Sequence, residues 1–443
     1  MYNLKVQYYK KQTLRIMETT ARHNLMGGTP LNPIEIQSHA VNQASGKFNH
    51  NLAYMMKYSG RNILENLGRA LDQTAQSAEL LRCTVNSKLE FVELTSFIIH
   101  LEIYKELTPE EEKETFLQQV QTPFPKEGPL WKVLINYGEK ETTIMFIFNQ
   151  VITDIPSLHK PVESFWNCLL ANKESYVPRP ISHTIPPLES AFSLVKNQLC
   201  AFTASIMEDK YPARKSDYTT TIINAQTVER LDALCAKYET NMSSLIYAAF
   251  LKAEFEAKLE TKGEPVNIVA ITMTDCRSAY GISAEVMRHF STGLVSMFKI
   301  ADHTQLTELA KEIHTDVQNK LNAYEHVAKL EELNKYQQTN PSAEHHLARN
   351  KMFAGIPMFC LTYVDRTGEE NLADEIYVIT DTTPYCTDKG HEVLNIVRHN
   401  EALHITLCFI KDPTREEFKD VERQSENVLV KLNEILVREL EEV

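Results

Sequence analysis

LWKVLINY (130–137), GEKE (138–141), TTIMFIF (142–148) and then Asn149-Gln-Val-Ile-Thr-Asp-Ile-Pro156 form the stretch on which the reading of this chain turns. The two apolar runs are rich in β-branched and aromatic residues and are separated by a short Gly-led polar turn, the pattern of adjacent antiparallel strands. Neither run approaches the roughly 20 residues needed to span a bilayer. Beyond Pro156, residues Leu158, Val162, Phe165, Trp166 and Leu169 recur at helical spacing. The local plan is strand, polar loop, helix.

Upstream, Ile63, Leu64, Leu67, Leu71, Ala75 and Leu80 predict a helix over 62–81 that feeds the stretch LRCTV at 81–85. Downstream, VPRPISHTIPP (177–187) carries four prolines, whose fixed φ and missing N–H point to an extended linker. This places an N-terminal domain at 1–175, a crossover at 176–217 and a C-terminal domain at 218–443. In the second half, strands are expected at 218–223, 267–273, 358–364, 375–379, 393–397 and 403–410. Helices are expected at 228–238, 242–259, 306–321, 327–336 and 415–440. The first fifty or so residues receive no role.

A net charge of −13 argues against a polyanionic partner, and no basic run interleaved with aromatics is present, so nucleic acid is excluded as a partner. Eight cysteines lie scattered without a C-x-x-C pair, and no histidine stands at metal-ligand spacing, so no metal site is expected. Residues 1–20 lack the apolar core of a signal peptide, which gives the expectation of a cytoplasmic chain without a transmembrane segment.

The order of these features resembles the condensation-domain and alcohol-acetyltransferase branch of the CoA-dependent acyltransferase superfamily. Leu67–Val85 resembles the family's first helix and its Leu-Arg strand, and GPLWKV (128–133) resembles the segment before the active-site hairpin. Leu231–Ala253 resembles the Ala-rich helix pair. Asp275-Cys-Arg277 resembles the Asn-Leu-Arg at a strand end, and Gly293 falls where the family carries Gly. The resemblance implies an α/β (α+β) fold of two chloramphenicol-acetyltransferase-like domains, with mixed sheets, flanking helices and a tunnel between the domains. It also implies an acyl-CoA or acyl-carrier thioester as substrate, with a small-molecule acceptor, a carrier protein as partner and no bound cofactor.

The family signature H-H-x-x-x-D-G here reads Asn149-Gln150-x-x-x-Asp154-Ile155. In relatives the second histidine takes the acceptor's proton, because imidazole titrates near neutral pH. Gln150 has no comparable proton-binding site, so the roughly 10²–10⁴-fold of general base catalysis is forfeited. Ile155 replaces a Gly, which implies a re-formed loop. The resemblance pairs Asp154 with Arg277. The residues alone also allow a solvated turn carboxylate or a helix N-cap at Asp154 before Pro156. Tyr363 and Asp365, in CLTYVD (360–365), stand where relatives have Asn and Gly in a substrate-side turn.

Among replacement bases, His345-His346 sits in a polar stretch without a preceding strand, and His159 belongs to the following helix and points away. His391 and His404 flank C-terminal strands, where hydrogen-bonded sheet residues are the ordinary reading. Lys389 and Arg398 could form an anion site but also read as surface cations. Three functions stay open: an acyltransferase with non-standard chemistry at Gln150 and Asn149, an inactive pseudoenzyme binding an acyl or lipid ligand or a protein, and a structural protein.

Overall fold

The computed structural model describes residues 4–441 except 10–11, 21–27, 33, 37, 40–49, 60–65, 95, 126, 172–213, 259–263, 284–285, 339–356, 367–372, 383–391 and 419. The chain divides into two compact units. The first comprises Met1–Ser190, Arg277–Ser291 and Glu369–Asp381. The second comprises Ala191–Cys276, Thr292–Gly368 and Thr382–Val443. The predicted linker lies almost wholly outside the described residues.

The elements, in order, begin with strands β1 (Leu4–Tyr9), β2 (Gln12–Thr20), β3 (Thr29–Pro30) and β4 (Asn51–Ser59), followed by helix α1 (Leu67–Ser77). Next come β5 (Cys83–Val85), β6 (Glu90–Glu93), β7 (Ser96–Lys105), α2 (Pro109–Val120), β8 (Trp131–Tyr137), β9 (Glu141–Asn149) and α3 (His159–Ala171). The later chain forms β10 (Lys215–Ile223), α4 (Ala225–Lys237), α5 (Met242–Lys258), β11 (Val266–Asp275), β12 (Ser291–Ile300), α6 (Leu306–Asn322) and α7 (Glu325–Gln338). It closes with β13 (Met358–Asp365), β14 (Glu375–Thr380), β15 (Glu392–His399), β16 (Ala402–Lys411) and α8 (Val421–Glu441).

The first unit is built on a seven-stranded sheet in the order β1-β2-β7-β8-β9-β4-β14. The predicted hairpin is its centre: β8 and β9 pair antiparallel with Leu134 opposite Met145, and Gly138 N donates to Glu141 O at 2.9 Å across the turn. Strand side chains alternate between faces. On one face Trp131, Phe146 and Phe148 stack, and Phe165 of α3 meets Phe146 edge-on with ring centroids 5.0 Å apart. On the other, Asn136 donates to Glu112 of α2 at 2.6 Å. Both faces are covered, which is why the two strands read as continuous apolar runs rather than alternating ones.

Residues left without a role in the sequence reading turn out to be structural. β4 lies between β9 and β14, and β1 and β2 extend the same sheet. β4 escaped notice because its core, Ala53-Tyr-Met-Met56, has no β-branched residue, so only burial marks it. α2 was also unforeseen, although it opens on a capping box: Thr108 accepts from Glu111 N at 3.3 Å, and Glu111 accepts from Thr108 N at 3.0 Å.

The second unit carries a six-stranded mixed sheet, β10-β16-β15-β13-β11-β12, with parallel pairing of β11 with β13 and β13 with β15. Its core is organised on α5. There Tyr247 accepts from Ile271 N at 2.9 Å and donates to Phe359 O at 2.8 Å, tying the helix to two strands. Helix and strand positions from 218 onward agree with the periodicity, apart from β12, which the sequence reading leaves unassigned. Among the described residues no helix is long and apolar enough to cross a membrane.

Candidate active site

The site lies in the first unit, on the loop that leaves β9. Asn149 ends the strand, and its amide is fully engaged in the fold, accepting from Val151 N at 3.0 Å and donating to Asn51 on β4 at 3.1 Å. Gln150 is fixed through its backbone, its N–H donating to His50 O at 2.7 Å. Its side-chain amide makes no hydrogen bond among the described residues.

Asp154 then caps a short 3₁₀ turn, Ile155–Ser157, accepting from Ser157 N at 3.2 Å and from its hydroxyl at 2.7 Å. The same carboxylate meets Arg277, which follows β11, through two parallel bonds of 2.9 Å each. Phe290 N and the Ser291 hydroxyl complete its shell, both at 2.9 Å. The cap and the ion pair, alternatives in the sequence, are therefore one arrangement. Burial pushes the Asp154 carboxyl up, but the Arg277 charge and hydrogen bonds, the nearby His289 and the Phe290 N–H outweigh it and hold the group at about 2. Arg277 also donates from Nε to Val286 O at 3.1 Å and lies 5.3 Å from the centre of the Phe290 ring. Ile155 is not among the residues with positive φ, so the β-branched side chain meets no left-handed backbone strain there.

Two histidines that the sequence reading did not consider stand against Gln150. The His289 ring hydrogen-bonds the Gln150 backbone, and its Nδ1 lies 3.3 Å from the Ser38 hydroxyl. That hydroxyl is also 2.8 Å from His50 Nδ1, so Ser38 bridges two imidazoles whose ring centres are 6.3 Å apart. All three residues are buried. Burial lowers His289, Asp154 and the Gln150 bond raise it, Arg277 lowers it, and it settles at about 4. His50 is likewise held well below the usual imidazole range by burial and by His289. No spacing rule connects positions 38, 50, 150 and 289; only the tertiary fold brings them together. The segment bearing His289 is anchored by a second buried pair, Arg288 with Glu35, in which Nε to Oε1 is 2.7 Å.

The remaining candidates fall elsewhere. Tyr363 and Asp365 lie on β13 in the second unit, where Asp365 is in register with Arg398 on β15. Tyr363 hydrogen-bonds Arg398, which holds Asp232 by bonds of 3.0 and 2.6 Å. They belong to a charged cluster between that sheet and α4, which carries Asp232. His404, on β16, is buried beside His399 with ring centres 5.7 Å apart, and burial lowers it to about 4. His159 is the first residue of α3. His345, His346, Lys389 and His391 lie outside the described residues. Among the described residues no group of three or more His, Cys, Asp or Glu is placed to hold a metal ion.

No family model and no curated protein matches the sequence. Solved structures do match over nearly its whole length. The EpoB NRPS cyclization-docking bidomain from Sorangium cellulosum aligns over 98% of this chain and 96% of its own, with a TM-score of 0.62 and 11% identity. This chain has the fold of that bidomain. A trichothecene 15-O-acetyltransferase from Fusarium sporotrichioides aligns over 98% and 97% with a TM-score of 0.62 and 11% identity. The condensation domain from Monacolin K polyketide synthase MokA aligns over 94% and 97% with a TM-score of 0.60 and 13% identity. At such identities the likeness concerns architecture. The mixed α/β fold expected from the sequence is the fold observed.

Proposed function

We propose that this chain transfers an acyl group from a thioester, delivered on CoA or on a carrier protein, to an amine or hydroxyl acceptor beside Gln150. The observation that carries this reading is an uncommitted amide on an otherwise fully hydrogen-bonded loop. Asn149, Asp154 and Ser157 are spent on structure, and Arg277 clamps the turn from below. An amide so placed can accept from the attacking N–H or O–H and donate to the carbonyl oxygen as charge develops on it. It cannot carry the proton away; as the new C–N or C–O bond forms and the C–S bond breaks, the acceptor's proton passes to the departing thiolate, which leaves as the thiol. An amine of low pKa needs that service least and is the acceptor this chemistry suits best. His289, neutral but weakly basic at about 4, acts as a brace for the Gln150 backbone rather than as the base. The six described cysteines are free and buried, which suits a reducing compartment such as the cytoplasm.

The same weak basicity favours a second reading, a pseudo-acyltransferase that binds an acyl or lipid ligand, or a protein partner, without turnover. Assay of the purified protein with acyl-CoA and an amine acceptor separates the two. Turnover that falls at least about tenfold in Gln150→Ala supports transfer. Turnover indifferent to that change removes Gln150 from the mechanism, and acyl-CoA binding without turnover selects the second reading.

A further inference from the structure

In the first unit, the segment between α2 and β8 covers a cavity of about 580 Å³. None of Gln150, Asp154 and Arg277 lines it. A buried cation, Lys132, lines it, with its Nζ donating to Gln119 Oε1 at 3.1 Å and lying 3.4 Å from Thr122 O and 5.2 Å from the centre of the Phe124 ring. Gln119 is held in this orientation because its own N–H donates to Glu102 at 3.1 Å. Glu102 in turn hydrogen-bonds His100 at 2.7 Å and accepts from the Tyr104 hydroxyl. The amide thus stands between ammonium and carboxylate, so Lys132 has no direct carboxylate partner in these bonds. Apolar wall is supplied by Leu94, Ile98 and Phe124.

A buried ammonium is costly without an anion in contact with it. Burial lowers Lys132 to about 8 against the upward pull of Glu102. Of its two oxygen contacts one is long, and an incoming oxygen could displace it. The volume falls within the roughly 300–1,000 Å³ range of small-molecule sites. Among the described residues a single cation, with Glu102 near it and Glu127 on the lining, does not balance a dianion such as phosphate.

We propose that this cavity binds a monocarboxylate with an apolar chain, its carboxylate on Lys132 and its chain against Leu94, Ile98 and Phe124. The site is independent of the chemistry assigned to the Gln150 loop. Titration with octanoate is followed by calorimetry on the full chain. Saturable octanoate binding is expected, with octanol and inorganic phosphate at least about tenfold weaker. Lys132→Met should weaken octanoate at least about tenfold. Ile98 is 51% exposed, so Ile98→Asp places a like charge on the lining without disturbing the core and should weaken octanoate similarly while melting is unchanged. Should Lys132→Met not fold, Ile98→Asp decides alone. Absence of octanoate binding, equal binding of octanol, or octanoate affinity unaltered in folded variants overturns the proposal.

Discussion

Asp154 and Arg277, 123 positions apart in the chain, meet through two parallel hydrogen bonds of 2.9 Å and are both almost completely buried. A bidentate pair of this kind fixes the guanidinium plane as well as its distance. It is also what sets the loop carrying Gln150, because the same carboxylate caps the turn that follows.

Removing one member leaves the other charged, buried and unmatched. Arg277→Met is expected to cost about 3–5 kcal/mol of stability. Arg277→Lys, which keeps the charge but loses the planar fork, should cost less. Urea unfolding of the three proteins measures the order, and equal midpoints would remove the pair from the stability of the unit.

The pair also sets an acid limit. Asp154 is held near 2 against an ordinary 3.8, so its stabilisation is complete above about pH 4 and is lost as pH falls through 2. Converted at 1.36 kcal/mol per pKa unit, the span is about 2 kcal/mol. Unfolding free energy measured from pH 5 to pH 2 should show this limb, and it should be missing in a folded Asp154→Asn variant.

His289 titrates in a different window. Its folded value of about 4 lies below the usual 6.5, so the neutral ring is favoured in the fold, and stability is lost as pH falls from about 6.5 towards 4. His289→Gln should flatten that limb by about 3 kcal/mol while leaving the lower, Asp154 limb in place. His50, displaced in the same direction, accounts for part of what remains.

Gln150→Ala should leave the melting temperature within about a degree, since no side-chain bond is lost, while lowering acyl transfer at least about tenfold. Gln150→His returns an imidazole to the loop. Where transfer is the activity, that variant should run faster than the parent with a rate that rises through the imidazole range.

On β12, a Cβ added to Gly293 would sit 2.6 Å from Ile271 Cγ2. Gly293→Ala is therefore expected to destabilise the second unit by about 1–3 kcal/mol, and the double change with Ile271→Val should recover part of it. Chemical unfolding of the single and double variants tests the clash.

The hairpin β8–β9, helices α1 and α3 and most of the second unit were legible in the sequence because their hydrophobic periods are strong. β4 and α2 were not: Tyr54, Met55 and Met56 carry no strand signature, and the apolar stripe of α2 is reduced to Phe116, Leu117 and Val120. At the site, Gln150 and the Asp154–Arg277 pair were reached by matching the loop to a family pattern. Ser38, His50 and His289 were invisible, since neighbours from three separate segments share no spacing. Tyr363 was singled out by its place in the chain, and its surroundings, Arg398 and Asp232, are those of a charged cluster between the sheet and α4.

β14 pairs with β4 along six residues, from Glu375 opposite Lys57 to Thr380 opposite Leu52. A ribosome making this chain must therefore complete some 300 further residues after β4 emerges before the last strand of the first sheet exists, and Arg277 arrives more than a hundred residues after Asp154. During that interval β4 presents an open edge and Asp154 has no counter-ion. A fragment ending near residue 190 would be frozen in that state, so the first unit cannot be obtained by truncation.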